Sequence, residues 1–368
     1  MESMNPLIPG FGLIFLAAVA GGVFAVPLRT QRRYAWENTW LLAFLFALLI
    51  IPFTVVTIFL PVWASAVAAA GATTVLSAIA FGFMWGWGAV TFAIGITAVG
   101  LSLGYATIMG LATTIGSIIP MLRRWDEVPG DAKVVVLSGI AVCIAGVAVC
   151  GRAGVLRERA TATGNSSNAD PSCSQKPPLK VFLIGLAWCV LSGFLSSCAN
   201  LGFEFADRVA QEAQRLGADP ISASIGRWIT VYWGGFLAIL IGSGFRMFRK
   251  GTWRNYFAAG SGRDFGLAIV AGCCHFLAQI PYGMGAYYLG RLGTTVGWAI
   301  NIASSLLVAN AFGFITKEWR GAPKTSIRVL CFGLALLVSA MVILAYGNSI
   351  VTHLPSPSTA NVAPPAPR

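Results

Sequence analysis

Charge is scarce in this chain: only 10% of its 368 residues are Asp, Glu, Lys or Arg. A water-soluble domain carries about 25%, so a body with a fully solvated surface is excluded. Histidine is scarcer, with only His275 and His353. None of the eight cysteines sits in a Cys-x-x-Cys spacing, which leaves a zinc site almost no ligands. Seven of them lie in apolar runs and read as small buried hydrophobes; only Cys173 sits in a polar loop. The phosphate-cradling Gly-x-x-x-x-Gly-Lys-[Ser/Thr], His-Glu-x-x-His and Gly-x-Ser-x-Gly are all missing. Nothing therefore points to an enzyme, to ATP as a driving force or to a cofactor.

What the chain has in abundance is apolar sequence, at 57% hydrophobic with a mean hydropathy of +0.75. Ten runs stand out, at roughly 9–28, 38–60, 73–98, 101–119, 133–151, 179–203, 221–243, 265–289, 292–315 and 326–347. Each approaches the roughly 20 residues that cross a bilayer core. Lipid offers no partner to backbone amides, so the runs must be helices, and the short alternating strands of a barrel are absent. The expectation is an all-α polytopic membrane protein of ten transmembrane helices. The first run lacks a basic leader and a small-residue cleavage motif, and reads as a retained helix. A polar stretch, 157–178, separates residues 1–156 from 179–347, with five runs on each side, and a Pro-rich tail over 348–368 should be disordered.

The net charge of +12 does not imply nucleic acid, because the basic residues cluster in short loops between apolar runs. The loops after runs one, five, seven and nine hold seventeen Lys and Arg, and those after runs four, six and eight hold six. By the positive-inside rule the richer side is cytoplasmic, which puts both termini outside the inner membrane. Five runs per half is an odd number, so the halves run in opposite directions. They also resemble each other: Gly100-Leu-Ser-Leu-Gly104-Tyr105-Ala106 opens the fourth run, and Gly293-Thr-Thr-Val-Gly297-Trp298-Ala299 the ninth. Trp125 and Trp319 follow at nearly equal distances. Two inverted five-helix repeats are a transporter signature, with the substrate held near the midplane where they meet.

Gly- and Pro-interrupted helices at matching places mark such sites. Run three carries Gly82, Gly86, Gly88 and Gly95 around Trp85 and Trp87, and run eight carries Gly272, Pro281, Gly283 and Gly285. At the helical rise, His275, Asn301 and Trp85 lie about 14–18 Å from a helix end, near mid-bilayer. His275, Gln279 and Tyr282 share one helix face. Polar groups at that depth either line a substrate path or bond neighbouring helices. Run six presents Gly193, Ser197, Asn200 and Glu204 on one stripe, with Glu204 at the outer mouth opposite Arg227. That pair is either a static interfacial contact or a gate that a proton on Glu204 would release. Of twelve tryptophans, Trp85 and Trp298 are the candidates for stacking on a substrate. Trp36, Trp40, Trp63, Trp125, Trp253 and Trp319 read as an interfacial belt.

Trp36-Glu-Asn-Thr-Trp40, Met84-Trp85-Gly86-Trp87-Gly88, Gly100-Leu-Ser-Leu-Gly104, Arg152-Ala-Gly154 with Arg157-Glu-Arg159, Leu216-Gly-Ala-Asp-Pro220 and Lys317-Glu-Trp319 occur in this order. Together they make the chain resemble the L-rhamnose–proton symporter family (RhaT) of the drug/metabolite transporter superfamily. The resemblance implies a ten-helix inner-membrane carrier that takes up a deoxy sugar, L-rhamnose or a relative, with a proton. It implies no substrate-contacting residues, since these motifs are mainly packing and loop signatures. The chain departs from the family pattern at Ala89, where Asn is common, and at Arg227, where a small polar residue is expected. Another carrier or exporter of the superfamily is the alternative, and a non-transporting receptor or subunit would need a docking surface that the sequence lacks. Oligomeric state is not legible.

Overall fold

A chain whose side chains dissolve in lipid must satisfy its backbone within each segment, and the computed structural model does so with helices. It describes residues 6–24, 27–164, 179–317 and 319–352, and every regular element among them is a helix. In order these are α1 (Leu7–Val23), α2 (Trp36–Leu45), α3 (Ile51–Phe59), α4 (Trp63–Ala70), α5 (Ala72–Val99), α6 (Leu101–Arg123), α7 (Gly130–Gly164), α8 (Leu179–Phe205), α9 (Asp207–Arg215), α10 (Pro220–Lys250), α11 (Ser261–Tyr288), α12 (Gly293–Ile315) and α13 (Lys324–Thr352). A π-helical turn, Phe46–Ile50, joins α2 to α3 as one rod over Trp36–Phe59. Nine helical segments among the described residues are long and apolar enough to cross a membrane. α1 is apolar but has 17 residues, a rise of about 26 Å.

Three boundaries differ from those read from hydropathy. The first run is helical only to Val23, and Pro27, which has no N–H to give, opens a 3-10 turn over Pro27–Thr30. The polar stretch 157–178 begins as helix, because α7 continues through Gly164; residues 165–178, with Cys173, lie outside the described residues. Likewise α13 carries the start of the Pro-rich tail as far as Thr352, while 353–368, including His353, lie outside them. The outward faces are apolar, with Phe248, Ile315 and Val342 well exposed. Contiguous apolar surface of this kind suits lipid.

Neighbour relations run in pairs. α5 packs on α8 and α10, and α11 packs on α1 and on the α2–α3 rod. α6 meets α12, α7 meets α13, and α2 meets α10. The glycine-rich α5 and α11 are continuous helices, even across Pro281, so the interruptions expected from sequence do not break them. Their glycines serve close approach instead. A Cβ on Gly82 would stand 1.9 Å from the Val231 carbonyl oxygen of α10, and one on Gly234 1.9 Å from that of Ile79 on α5.

Polar caps fix the two ends of the bundle. At one end the Asp264 carboxylate accepts the backbone N–H groups of Arg32, Arg33 and Tyr34 at 3.0, 2.6 and 3.0 Å, tying the segment after α1 to the start of α11. Beside it Glu37 accepts from Thr252 and Lys250. At the other end Asp219 caps α10 by accepting from the N–H groups of Ile221 and Ser222, both at 3.0 Å, ahead of Pro220 in the first turn, a favoured helix start. Hydrogen bonds from Ser222 hold the Asp219 carboxyl below its usual range.

Candidate functional site

Glu204 is the penultimate residue of α8, where the negative end of the helix dipole disfavours a carboxylate. It is nevertheless 3% exposed, so it must be held by cations and donors from elsewhere. Arg124 at the end of α6 reaches its Oε1 at 2.8 Å, and Arg123 lies 3.6 Å away. Thr294, in the first turn of α12, donates to Oε2 at 2.8 Å, and Arg227 stands 3.7 Å from the same oxygen. Arg227 is tied down three more times: Nε donates to the Phe203 carbonyl at 2.9 Å, Nη1 lies 3.3 Å from Asp207, and the guanidinium covers the Phe203 ring at 3.9 Å. Arg124 also donates to the Arg291 carbonyl at 3.0 Å. One carboxylate thus stitches together α6, α8, α10 and the α11–α12 turn.

One turn deeper, Asn200 bridges both halves of the chain. Its amide donates to the carbonyls of Gly116 on α6 and Thr294 on α12, at 2.8 and 2.9 Å, and its oxygen accepts from the Tyr282 hydroxyl. Trp298 donates to the Ala112 carbonyl at 2.9 Å and meets Tyr282 edge-on. The Trp298 ring, a stacking candidate by sequence, is therefore occupied in packing α12 against α6. Asn200→Ala would strand the buried Gly116 carbonyl, whose helical donor position is taken by Pro120, and a tyrosine hydroxyl, each worth about 1–3 kcal/mol. The expected result is a melting temperature lowered by several degrees in detergent; an unchanged melt would show that water replaces the amide.

Deeper still lies a box of rings. His275 on α11 stacks nearly parallel to Trp85 on α5, with centroids 5.9 Å apart, and meets Phe44 and Phe24 edge-on at 5.0 and 5.5 Å. Its Nε2 is buried without a partner. The ring borders a cleft shared with Phe24, Trp40, Phe44, Ala47 and Gly272. At about 10 Å³ this cleft holds about one water and nothing larger. From Trp85 an aromatic ladder climbs through Tyr232 and Trp228 to Tyr282 and Phe203, joining the box to the Glu204 cluster. Several polar atoms along it are buried without partners: Trp40 Nε1, Trp228 Nε1, the Tyr232 hydroxyl and the Thr230 hydroxyl.

Glu204, Arg227, Asn200, Tyr282 and Trp298 thus gather at one end, and His275 and Trp85 in the middle. Asn301 also has a buried, unpartnered side-chain oxygen. Gln279 is part-exposed and no hydrogen bond joins it to this group. Two tryptophans assigned to the interfacial belt sit elsewhere: Trp40 lines the cleft, and Trp319 is buried, stacked on Phe314 under Arg157. Sequence reasoning missed Arg124, Thr294, Tyr232 and Trp228. Arg124 had a signal, since paired arginines in a loop on the cation-poor side need a reason to be there. Thr294 and Tyr232 had none.

Residues 4–350 match the family described as L-rhamnose-proton symport protein (RhaT). Among curated proteins, the chain is 25% identical over 344 residues to the L-rhamnose-proton symporter of Mannheimia succiniciproducens, covering 90% of this chain and 96% of that one. It is 24% identical over 357 residues to the protein of the same name from Yersinia pestis, covering 93% and 98%.

Proposed function

We propose that this chain, which belongs to the RhaT family, is a secondary carrier that takes up L-rhamnose or a related deoxy sugar with a proton. The observation that carries this reading is the match of residues 4–350 to that family. The interior suits it: aromatic faces beside buried, unpartnered donors are what a ring bearing hydroxyls and a methyl group requires.

We further propose ten crossings arranged as two inverted five-helix repeats, with α1 as the shortest. The packing supports the repeat residue by residue. A Cβ on Gly95 of α5 would meet Cys189 of α8, and one on Gly285 of α11 would meet Gly10 of α1. A Cβ on Gly82 of α5 would meet Val231 of α10, and one on Gly272 of α11 would meet Ala43 of α2. On α7 a Cβ at Gly139 would meet Leu344, and on α13 one at Gly333 would meet Cys150. The matched positions are 179 residues apart for α1 and α8, 188 for α2 and α10, 190 for α5 and α11, 193 for α6 and α12, and 194 for α7 and α13. The offset grows steadily, as loop insertions would make it. Under this match Trp85 and His275 are counterparts, and they stack on each other where the halves meet. The basic-loop asymmetry supports an inner-membrane location with both termini outside.

In this reading Glu204 and Arg227, with Asn200 beneath them, form the outer gate. A proton on Glu204 cancels the one charge that holds Arg124 and Arg227 together. His275, Asn301, Gln279 and Trp85 line the path below.

Reconstitution in liposomes tests the proposal. An inward L-rhamnose gradient should drive proton entry, and a proton gradient should drive rhamnose uptake. His275→Ala and Asn301→Ala should each raise the rhamnose KM by about tenfold, the worth of one hydrogen bond. Transport of a different solute with none of rhamnose would replace the substrate; transport of neither would remove the carrier reading.

A further inference from the structure

The repeat match has a consequence for the aromatic box. Trp40 and Phe44 on α2 correspond to Trp228 and Tyr232 on α10, each 188 residues later, and Phe24 corresponds to Phe203, 179 residues later. Their contacts correspond as well. Phe44 meets His275 at 5.0 Å and Tyr232 meets Trp85 at 6.3 Å; Trp40 meets Phe44 at 5.1 Å and Trp228 meets Tyr232 at 5.3 Å. There are thus two boxes built to one plan, back to back across the His275–Trp85 stack. One lies toward the Asp264 end and one toward the Glu204 end.

The boxes differ in how tightly they are shut. The box of Phe24, Trp40, Phe44 and His275 encloses the cleft. In its counterpart Phe203 closes on Trp228 at 4.7 Å, and Trp228 lies stacked on Tyr232 within 16° of parallel. Both boxes leave their matching indole nitrogen unsatisfied, and each leaves one further polar atom so. The indole nitrogens of Trp40 and Trp228 are buried without acceptors, as are His275 Nε2 in one box and the Tyr232 hydroxyl in the other. An indole N–H can only donate, and a buried donor without an acceptor is an expense that natural interiors rarely tolerate. The cleft has room for about one water, which would have the minimum of two polar partners in Trp40 and His275; a sugar hydroxyl would take the same place. A ligand that brings hydroxyl oxygens and an apolar face satisfies both features of each box.

We infer that Trp40 and Trp228 are matching substrate-binding residues, each donating its indole N–H to a sugar hydroxyl. Trp40 does so when the interior opens toward the Asp264 end, and Trp228 when it opens toward the Glu204 end. The inference rests on the sugar–proton carrier reading. It adds that each face of the carrier has its own donor, so loss of one donor weakens binding from one side only.

The test uses the full chain in proteoliposomes of known orientation, with L-rhamnose as the probe. Trp40→Phe and Trp228→Phe keep an aromatic ring and delete the N–H. Trp40→Phe should raise the KM for rhamnose presented at the Asp264 face by about tenfold, the worth of one hydrogen bond, with the KM at the opposite face within about twofold of wild type. Trp228→Phe should do the reverse. Should Trp228→Phe fail to assemble, Tyr232→Phe removes only an oxygen and asks the same question of that box. Wild-type KM values on both faces, or equal rises on both, would overturn the sided assignment while wild-type rhamnose transport stands. A wild-type protein that neither binds nor moves rhamnose would overturn the carrier reading and this inference together.

Discussion

Glu204→Gln is expected to reduce rhamnose-driven proton entry by at least tenfold and to lower the melting temperature of the purified protein. The physical reason lies in the charges around one buried carboxylate. Arg124 and Arg123 approach Glu204 from α6, Arg227 from α10, and Asp207 is the second carboxylate within ion-pair distance of Arg227. Removing the charge leaves three cations facing one acid. Deleting one member of a buried ion pair costs roughly 3–5 kcal/mol, because the charge left behind keeps its desolvation cost without its partner. Glutamine keeps one acceptor oxygen, for Arg124 or for Thr294 but not for both as the two carboxylate oxygens do, so its cost still falls below that of alanine, and the two variants should rank Ala worse than Gln. If Glu204 also carries the coupling proton, the Gln variant should exchange rhamnose for rhamnose across the bilayer but lose accumulation against a gradient. Unchanged accumulation in Glu204→Gln would reduce the cluster to a static clasp. A cycle with Arg124→Gln adds a second check. The pair is in direct contact, so the double variant should lose less than the sum of the singles by about 0.5–3 kcal/mol.

The helices were legible in the sequence because one force dominates them: lipid leaves no alternative to internal hydrogen bonding, and run length follows bilayer thickness. Helix ends were less legible. α7 runs through polar residues to Gly164, since a helix leaving the bilayer meets no boundary that its backbone must respect. Position along the helix was readable for His275 and Glu204, since it depends on rise per residue alone. Partners were not. The Glu204–Arg227 approach could be guessed from two charges at one mouth, but the shorter contact to Arg124 depends on how α6 leans against α8. The glycines of α5 and α11 were misread as breaks because spacing alone does not distinguish an unwound turn from a tight crossing. Trp40 was misassigned for a similar reason. One turn separates it from Trp36, and a position near the interface looks the same in sequence whether the ring faces lipid or a cleft. In the sequence the proposed inverted repeat rests on Gly100–Gly104 and Gly293–Gly297, the openings of α6 and α12. Elsewhere the proposal rests on contacts more than on residue identity, as Trp85 opposite His275 illustrates.

Gly82→Ala and Gly234→Ala are expected to be the most damaging single-methyl additions at the α5–α10 crossing. At each, the new Cβ would stand 1.9 Å from a carbonyl oxygen of the facing helix, and at Gly234 also 2.7 Å from the Phe83 nitrogen. Backbone atoms cannot rotate away as a side-chain tip can, so α5 and α10 would have to separate by an ångström or more along a crossing that carries Trp85 and Tyr232. Overpacking a well-filled interior costs about 1–3 kcal/mol, and here the separation also forfeits the close contact on both sides of the crossing. Both variants should fall in yield and melt earlier, and transport should drop with the displacement of Trp85 from His275. Gly244→Ala and Gly266→Ala are the controls. Both positions are helical, and nothing lies within 4 Å of an added Cβ, so the change removes glycine's helix cost of up to about 1 kcal/mol and should leave stability equal or higher. Gly272→Ala is the informative intermediate. In the proposed repeat it is the counterpart of Gly82, but its Cβ would meet the Ala43 carbonyl at 2.5 Å. On that side the crossing helix contains the π-helical turn Phe46–Ile50, a local irregularity that can shift register, whereas α10 has the Gly234–Gly235 pair facing α5. A milder loss at Gly272 than at Gly82 would mean that the two crossings, alike in plan, differ in stiffness, and that the α2–α11 side is the one that yields when the carrier opens. Equal losses at both would assign the motion to neither crossing.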